Sequence, residues 1–208
     1  MAAAHFDGRG SAIAAGSRRI LDGLGLWDGV ADQAEPILEI RVADGTSPLF
    51  LHYDHKDIGD GPLGWIVENA VTRRALAAAA DESSLRIFDG TELAGCVFGE
   101  DAAVLELADG QSVTGRLVVA ADGRDSPLRD AAGIDAVRWR YPQTGIVCAV
   151  HHEVPHHGIA QEHFLPAGPF AILPMTENRS SIVWTERNDL APAILALDNE
   201  AFADELRR

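Results

Sequence analysis

Apolar positions recur along the chain in two rhythms, one suited to strands and one to helices. Residues 117–121 (Leu-Val-Val-Ala-Ala) form an unbroken apolar run, as expected of a strand buried on both faces. The run stops at Asp122-Gly123, where glycine tolerates the positive φ of a sharp turn. Ser126-Pro127 then reads as an N-cap followed by proline at the first helical position, opening a helix over 126–133. Nearer the start, residues 1–11 are short on regular structure, and Gly16-Ser17 opens a helix whose Ile20, Leu21, Leu24 and Trp27 share one face. Residues 37–42 and 49–53 read as strands around the turn Ala43-Asp44-Gly45. Residues 65–67 lead into a helix through Arg73 and Leu76, with Asn69 as its N-cap. Short strands follow at 85–88, 94–98 and 103–107, and Asp109-Gly110 makes a two-residue hairpin turn. The strand rhythm returns at 145–150, 159–165, 169–174 and 180–186, which indicates a mostly antiparallel sheet. A helical tail covers 189–208.

The pattern is that of a mixed chain, α/β or α+β, and composition narrows what it can do. With 208 residues, 47% of them hydrophobic, it forms one domain or two small ones with a substantial core. A formal net charge of -15 argues against nucleic acid as a partner, because nothing basic is clustered enough to neutralise phosphates. The same charge disfavours broad docking on anionic lipid, while leaving room for a small peripheral contact with a membrane. Cys96 and Cys148 lie far apart in separate apolar strands, with neither metal spacing nor a disulfide framework, and a reducing cytoplasm fits best. No apolar run reaches the length of a membrane-spanning helix, and the first residues lack the layout of a signal peptide.

Candidate chemistry gathers at Asp122, presented at the carboxyl end of a buried strand beside a helix N-terminus. Ligands of open α/β sheets bind there; the carboxylate can accept from a sugar hydroxyl while the amides of the next turn face a phosphate. A plain strand-to-helix turn is the competing explanation. The histidines at 151, 152, 156, 157 and 163 invite a metal assignment, but Pro155 and Gly158 break the segment and paired neighbours point to opposite sides. His52 and His55 flank Asp54 without a further placed ligand. No metal site is expected, and no nucleophilic or paired-carboxylate device is evident.

Asp-Gly-x-x-Ser-x-x-Arg after an apolar run resembles the second flavin motif of the single-component FAD-dependent aromatic hydroxylases, and within them the ubiquinone-biosynthesis hydroxylases (2-polyprenyl-6-methoxyphenol hydroxylase-like). Four further stretches carry the same resemblance: Asp7-Gly-Arg-Gly-Ser11, Gly16-Ser-Arg-Arg-Ile-Leu-Asp-Gly-Leu-Gly-Leu-Trp27, Ile66-Val-Glu-Asn69, and His163-Phe-Leu-Pro-Ala-Gly-Pro-Phe-Ala-Ile-Leu-Pro174. The resemblance implies part of a GR2-type, Rossmann-like FAD-binding domain over 1–35 and 64–135, with a β-meander at about 85–115. It implies an antiparallel-sheet substrate domain of the hydroxybenzoate-hydroxylase type over 36–63 and 136–208. By the same route Arg9, Glu68, Asp122 and Gly123 are the expected FAD contacts, with Asn69 an alternative to Glu68. Phe170, Ile172 and Pro174, which share a face by two-residue alternation, are expected to line the substrate cavity.

The activity implied is hydroxylation of a prenylated phenol by O2, with NAD(P)H reducing the flavin ahead of a C4a-hydroperoxide. A place in a ubiquinone-biosynthesis complex, peripheral at the inner membrane, would suit such an enzyme. The family's opening Gly-x-Gly-x-x-Gly and its later Gly-Asp segment do not occur in this sequence. The chain is therefore expected to be the middle of a longer enzyme, its sheet lacking the central strand. A flavin-free relative that holds quinone intermediates as a scaffold is the alternative.

Overall fold

The computed structural model describes residues 8–207; Asp7, at the start of one motif, lies outside them. In chain order the elements are β1 (Gly10–Ala14), α1 (Ala15–Gly23), β2 (Ala34–Ile37), β3 (Glu39–Asp44), β4 (Phe50–Asp54), β5 (Gly64–Glu68) and α2 (Asn69–Glu82). Then come β6 (Leu93–Phe98), β7 (Ala103–Leu107), β8 (Ser112–Gly115) and α3 (Pro127–Ala131). The chain continues with β9 (Gln143–His151), β10 (Ile159–Leu165), β11 (Gly168–Met175), β12 (Arg179–Arg187), α4 (Ala191–Leu195) and α5 (Asn199–Leu206). Contacts gather these into two units. One holds the residues up to Ser84 and from Tyr141 onward, the other Leu85–Arg140, a division that differs from the domain limits read from the sequence.

The first unit holds two sheets. Strands β1, β5 and β2 form an antiparallel trio with β5 in the middle. Six more run in the order β4-β3-β10-β11-β12-β9, antiparallel except where β3 and β10 run parallel. Strand β5 alternates its side chains between two cores. Val67, fully buried, packs with Ile13, Trp27, Val30 and Val71, while Ile66, 2% exposed, packs with Ile37, Ala160 and Met175. Gly64 lets β1 approach, since a Cβ there would lie 2.9 Å from the Ile13 carbonyl oxygen. Helix α1 docks through Leu21 and through Arg18, whose guanidinium sits 5.2 Å from the Trp27 ring and 5.5 Å from the Trp65 ring. Of the four residues expected on its apolar face, Leu21 and Trp27 pack inward. Ile20 and Leu24 are exposed, Ile20 on the outer side of the helix and Leu24 at its C-cap, since the helix ends at Gly23.

The second unit is a three-stranded meander, β6-β7-β8, with the Asp109-Gly110 turn closing the β7–β8 hairpin and Gly110 at φ 86. Two expectations fail here. Residues 85–88 form no strand, and neither do 117–121. Leu117 is 82% exposed and Val119 74% exposed. Among the described residues nothing pairs with this run, and β-branched side chains favour a strand only through neighbours to pack against. Gly10 and Ser11, within the stretch 1–11 expected to be short on regular structure, open strand β1 because β5 supplies a ladder. No helix among the described residues is long and apolar enough to cross a membrane.

Ile66→Ala should cost about 2–5 kcal/mol of stability by removing a fully enclosed side chain, read as a lower midpoint in denaturant unfolding. Val97→Ala, at an exposed position, should stay within about 0.5 kcal/mol. Equal losses at the two positions would remove β5 from its place at the centre of the packing.

Candidate functional site

Strand β5 delivers Glu68 to the start of α2, where it is the N-cap residue with φ -61 and ψ 135. Asn69, expected as the cap, is instead the first helical residue. The Asn69 side chain is turned onto strand β1, where its Oδ1 accepts the Ser11 hydroxyl at 2.6 Å, while its backbone N–H donates to the Arg9 carbonyl at 3.0 Å. Gly10 and Glu68 face each other in the β1–β5 ladder, so Arg9 and Glu68 meet at one corner of the first unit. The Glu68 side chain makes no capping bond. It pairs with Arg179, the first residue of β12, at 2.7 Å, and the two side chains are 17% and 15% exposed.

Asp122 and Gly123 belong to the second unit. Gly123 adopts φ 96, the turn expected from the Asp-Gly dipeptide. Ser126 caps α3 as expected, its Oγ accepting the Arg129 N–H at 3.0 Å, with Pro127 in the first turn. Asp122 strengthens the same cap: its Oδ2 accepts the Leu128 N–H at 3.1 Å. The Ser126 hydroxyl, followed by the Leu128 amide and the Arg129 charge, holds the Asp122 carboxyl below the usual carboxylate range, against the cost of lost hydration. The carboxylate is exposed, and two donors of its own turn fix it there.

Phe170 and Ile172 line a cavity of about 370 Å³ in the first unit, together with His152, Gln161, Ser180 and Leu206 of α5. Pro174, on the same face, is fully buried and forms no part of that lining. Trp184 extends the wall, packing on Phe170 and on Phe202 of α5. The histidines near this wall are structural ties. His152 Nδ1 donates to the Val154 carbonyl at 2.7 Å, which leaves Nε2 to accept from the Ser180 hydroxyl at 3.0 Å. His156 accepts the Gly158 N–H at Nδ1 and donates from Nε2 to the Met175 carbonyl. His163 Nε2 donates to the Gly45 carbonyl at 2.6 Å. Elsewhere, ligand atoms of Glu39, His52 and Asp54 lie within 4.8 Å of one another, but the Arg41 guanidinium already sits on Glu39 at 2.8 Å.

Two features escaped the sequence reading. Arg179 gives no local signal, because its partner lies more than a hundred residues away. The other is a hollow of about 780 Å³ in the second unit, lined by Arg124, Arg129, Arg138, Trp139 and Arg140, with Asp125 3.7 Å from Arg124 and 3.5 Å from Arg138. Four arginines within seventeen positions of a chain with net charge -15 were a legible signal.

The FAD binding domain family matches residues 1–200, and the chain belongs to it. It is 50% identical to Ubiquinone hydroxylase UbiL of Rhodospirillum rubrum over 99% of this chain and 48% of that protein. It is 31% identical to the mitochondrial ubiquinone biosynthesis monooxygenase COQ6 of Mus musculus, over 97% of this chain and 44% of that one. The chain thus spans about half the length of the curated relatives it matches. A crystal structure of a Klebsiella pneumoniae HpxO variant complexed with FAD shares the fold with a TM-score of 0.70 at 18% identity, over 86% of this chain and 48% of that one.

Because the folded Asp122 carboxyl titrates below its unfolded value, its cap on α3 is complete above the ordinary aspartate range. The cap is lost only as pH falls through the depressed value. In an NMR titration the Leu128 amide proton should follow one transition with its midpoint below that of an unstructured aspartate. A midpoint at or above that value would mean the carboxylate does not hold the turn.

Proposed function

We propose that the protein is an FAD-dependent monooxygenase that hydroxylates the aromatic ring of a prenylated phenol in ubiquinone biosynthesis, with NAD(P)H and O2 as co-substrates. The observation that carries the reading is 50% identity, across essentially the whole chain, to a protein named as a ubiquinone hydroxylase. The chemistry of the donor set agrees with FAD. Glu68 ends a strand with a carboxylate not spent on capping, beside the first amides of a fourteen-residue helix. That combination suits a polyhydroxy chain leading to a phosphate.

When bound, FAD supplies the redox chemistry, taking electrons from NAD(P)H and activating O2. The residues of the chain do the rest. Arg9 is the guanidinium for the pyrophosphate. Glu68 and Asp122 accept hydroxyls of the cofactor's sugar-like chains, and Gly123 lets the backbone come close without a side chain in the way. Phe170 and Ile172 offer an apolar wall that excludes water and seats a greasy ring, with Pro174 sealed behind it. Among the described residues no lysine or arginine lines that wall, which favours a decarboxylated prenyl-phenol over a hydroxybenzoate. A peripheral membrane position, or membership of a biosynthetic complex, accords with so apolar a substrate.

The whole protein should purify yellow, consume NAD(P)H when given a prenylated phenol, and return a product heavier by one oxygen. Asp122→Ala should weaken FAD binding about 10- to 100-fold through loss of a charged acceptor. Colourless protein that still binds quinone analogues would replace the enzyme with the scaffold alternative. Phe170→Ala should raise KM for the phenol at least severalfold and leave FAD affinity unchanged; an unaltered KM removes this face from the substrate site.

A further inference from the structure

Arg179 is the charged residue of the six-stranded sheet that reaches the β5–α2 corner, and its surroundings are built to hold it there. It follows a turn in which Glu177 and Asn178 both take left-handed φ values, 63 and 54. That turn is tied twice to His152. The His152 N–H donates to the Asn178 carbonyl, and the Asn178 side-chain amide donates back to the His152 carbonyl. The guanidinium is then clamped by its own turn, Nε donating to the Thr176 carbonyl at 3.2 Å and Nη2 reaching the Thr176 hydroxyl at 3.4 Å. The same Nη2 lies much closer to Glu68 Oε1, at 2.7 Å. Glu177 also approaches, at 3.7 Å, but it is largely in solvent and competes weakly.

Glu68 has an alternative place to go. A carboxylate at an N-cap is drawn toward the unpaired amides and positive end of its helix, and α2 offers both. Its side chain makes no such bond, so the shielded, charge-assisted contact with Arg179 wins. With Oε1 committed to the guanidinium, the second oxygen is the one an incoming hydroxyl can use.

We propose that Arg179 is a positioning residue for flavin binding: it holds the Glu68 carboxylate off the end of α2 and in the orientation that accepts a hydroxyl of the flavin's ribityl chain. This rests on the reading that Glu68 contacts FAD. Arginine is suited to the role because Nε is fixed on the Thr176 carbonyl while Nη2 of the same rigid plane binds the carboxylate; a lysine supplies charge without that geometry.

The test is a double-substitution cycle in the whole protein, with FAD affinity read by fluorescence and thermal stability read on flavin-stripped protein. Glu68→Gln and Arg179→Met should each weaken FAD binding about tenfold. The double variant should be no weaker than the worse single one, and Arg179→Lys should recover part of the loss. Losses that multiply in the double variant, or an Arg179→Met protein with wild-type FAD affinity beside a weakened Glu68→Gln, overturn the positioning role and leave the Glu68 contact standing. Wild-type affinity in Glu68→Gln removes the contact itself, and the inference with it, whereas Asp122→Ala reports on the flavin site independently. Should Arg179→Met fail to fold, Arg179→Lys decides: a loss in the single variant that adds nothing to the loss of Glu68→Gln supports coupling, and no loss in the single variant, or a loss that multiplies with that of Glu68→Gln, opposes it.

Discussion

Neighbouring side chains on a strand point to opposite faces, and at Ile66 and Val67 both faces are closed. One fills the core beneath the six-stranded sheet, the other the core under α1 and α2. Together they leave β5 no freedom to slide, because a shift of one residue would exchange the two cores and put Glu68 inside one of them. The polar end of the strand is therefore placed by the apolar middle. Glu68 and Asn69 emerge where the buried run stops, at a position fixed by packing before either makes a hydrogen bond.

From that corner the two polar side chains are restrained in different ways. Asn69 is stitched to β1 through the Ser11 hydroxyl and the Arg9 carbonyl, so it secures the junction between neighbouring strands of the same small sheet. Glu68 reaches to a different sheet and ends on a guanidinium. The first restraint is neutral and short-range in space. The second is ionic and shielded from water, conditions under which a charge pair is screened far less than on an open surface. Removing one partner of such a pair leaves the other partly buried and unpaired, which costs more than the loss of a surface bridge.

How much of this was legible follows the distance over which each feature is decided. The α3 cap could be read directly: Asp-Gly sets the turn, Ser126 caps, Pro127 starts the helix, and all of it is local chemistry. The Asp109-Gly110 hairpin came through for the same reason, whereas strands β7 and β10, read from their apolar character, hold because β6 and β3 run beside them. Residues 117–121 were read as a buried strand from their composition alone, yet a strand is a relation between two segments. With no partner among the described residues, the same side chains are exposed. Strand β1 is the mirror case, a stretch with weak propensity that becomes a strand because β5 runs beside it. Sequence pattern also placed the cap one position too late, at Asn69 instead of Glu68, since nothing local distinguishes an asparagine that caps from one drawn away by a serine 58 residues distant.

The two carboxylates proposed to meet the flavin thus differ in what guarantees them. Asp122 is fixed by an amide and a hydroxyl within six residues of itself, so its geometry forms whenever that turn forms. Glu68 depends on a hairpin that begins more than a hundred residues later, and on the turn 176–178 being tied to His152. A motif search sees the first kind of site because every determinant lies in one short window. It is blind to the second, in which the side chain that matters is recognisable and the one that aims it is not. An acceptor held from another sheet can be lost by changes that never touch it, and residues 176–179 are where this chain is exposed to that.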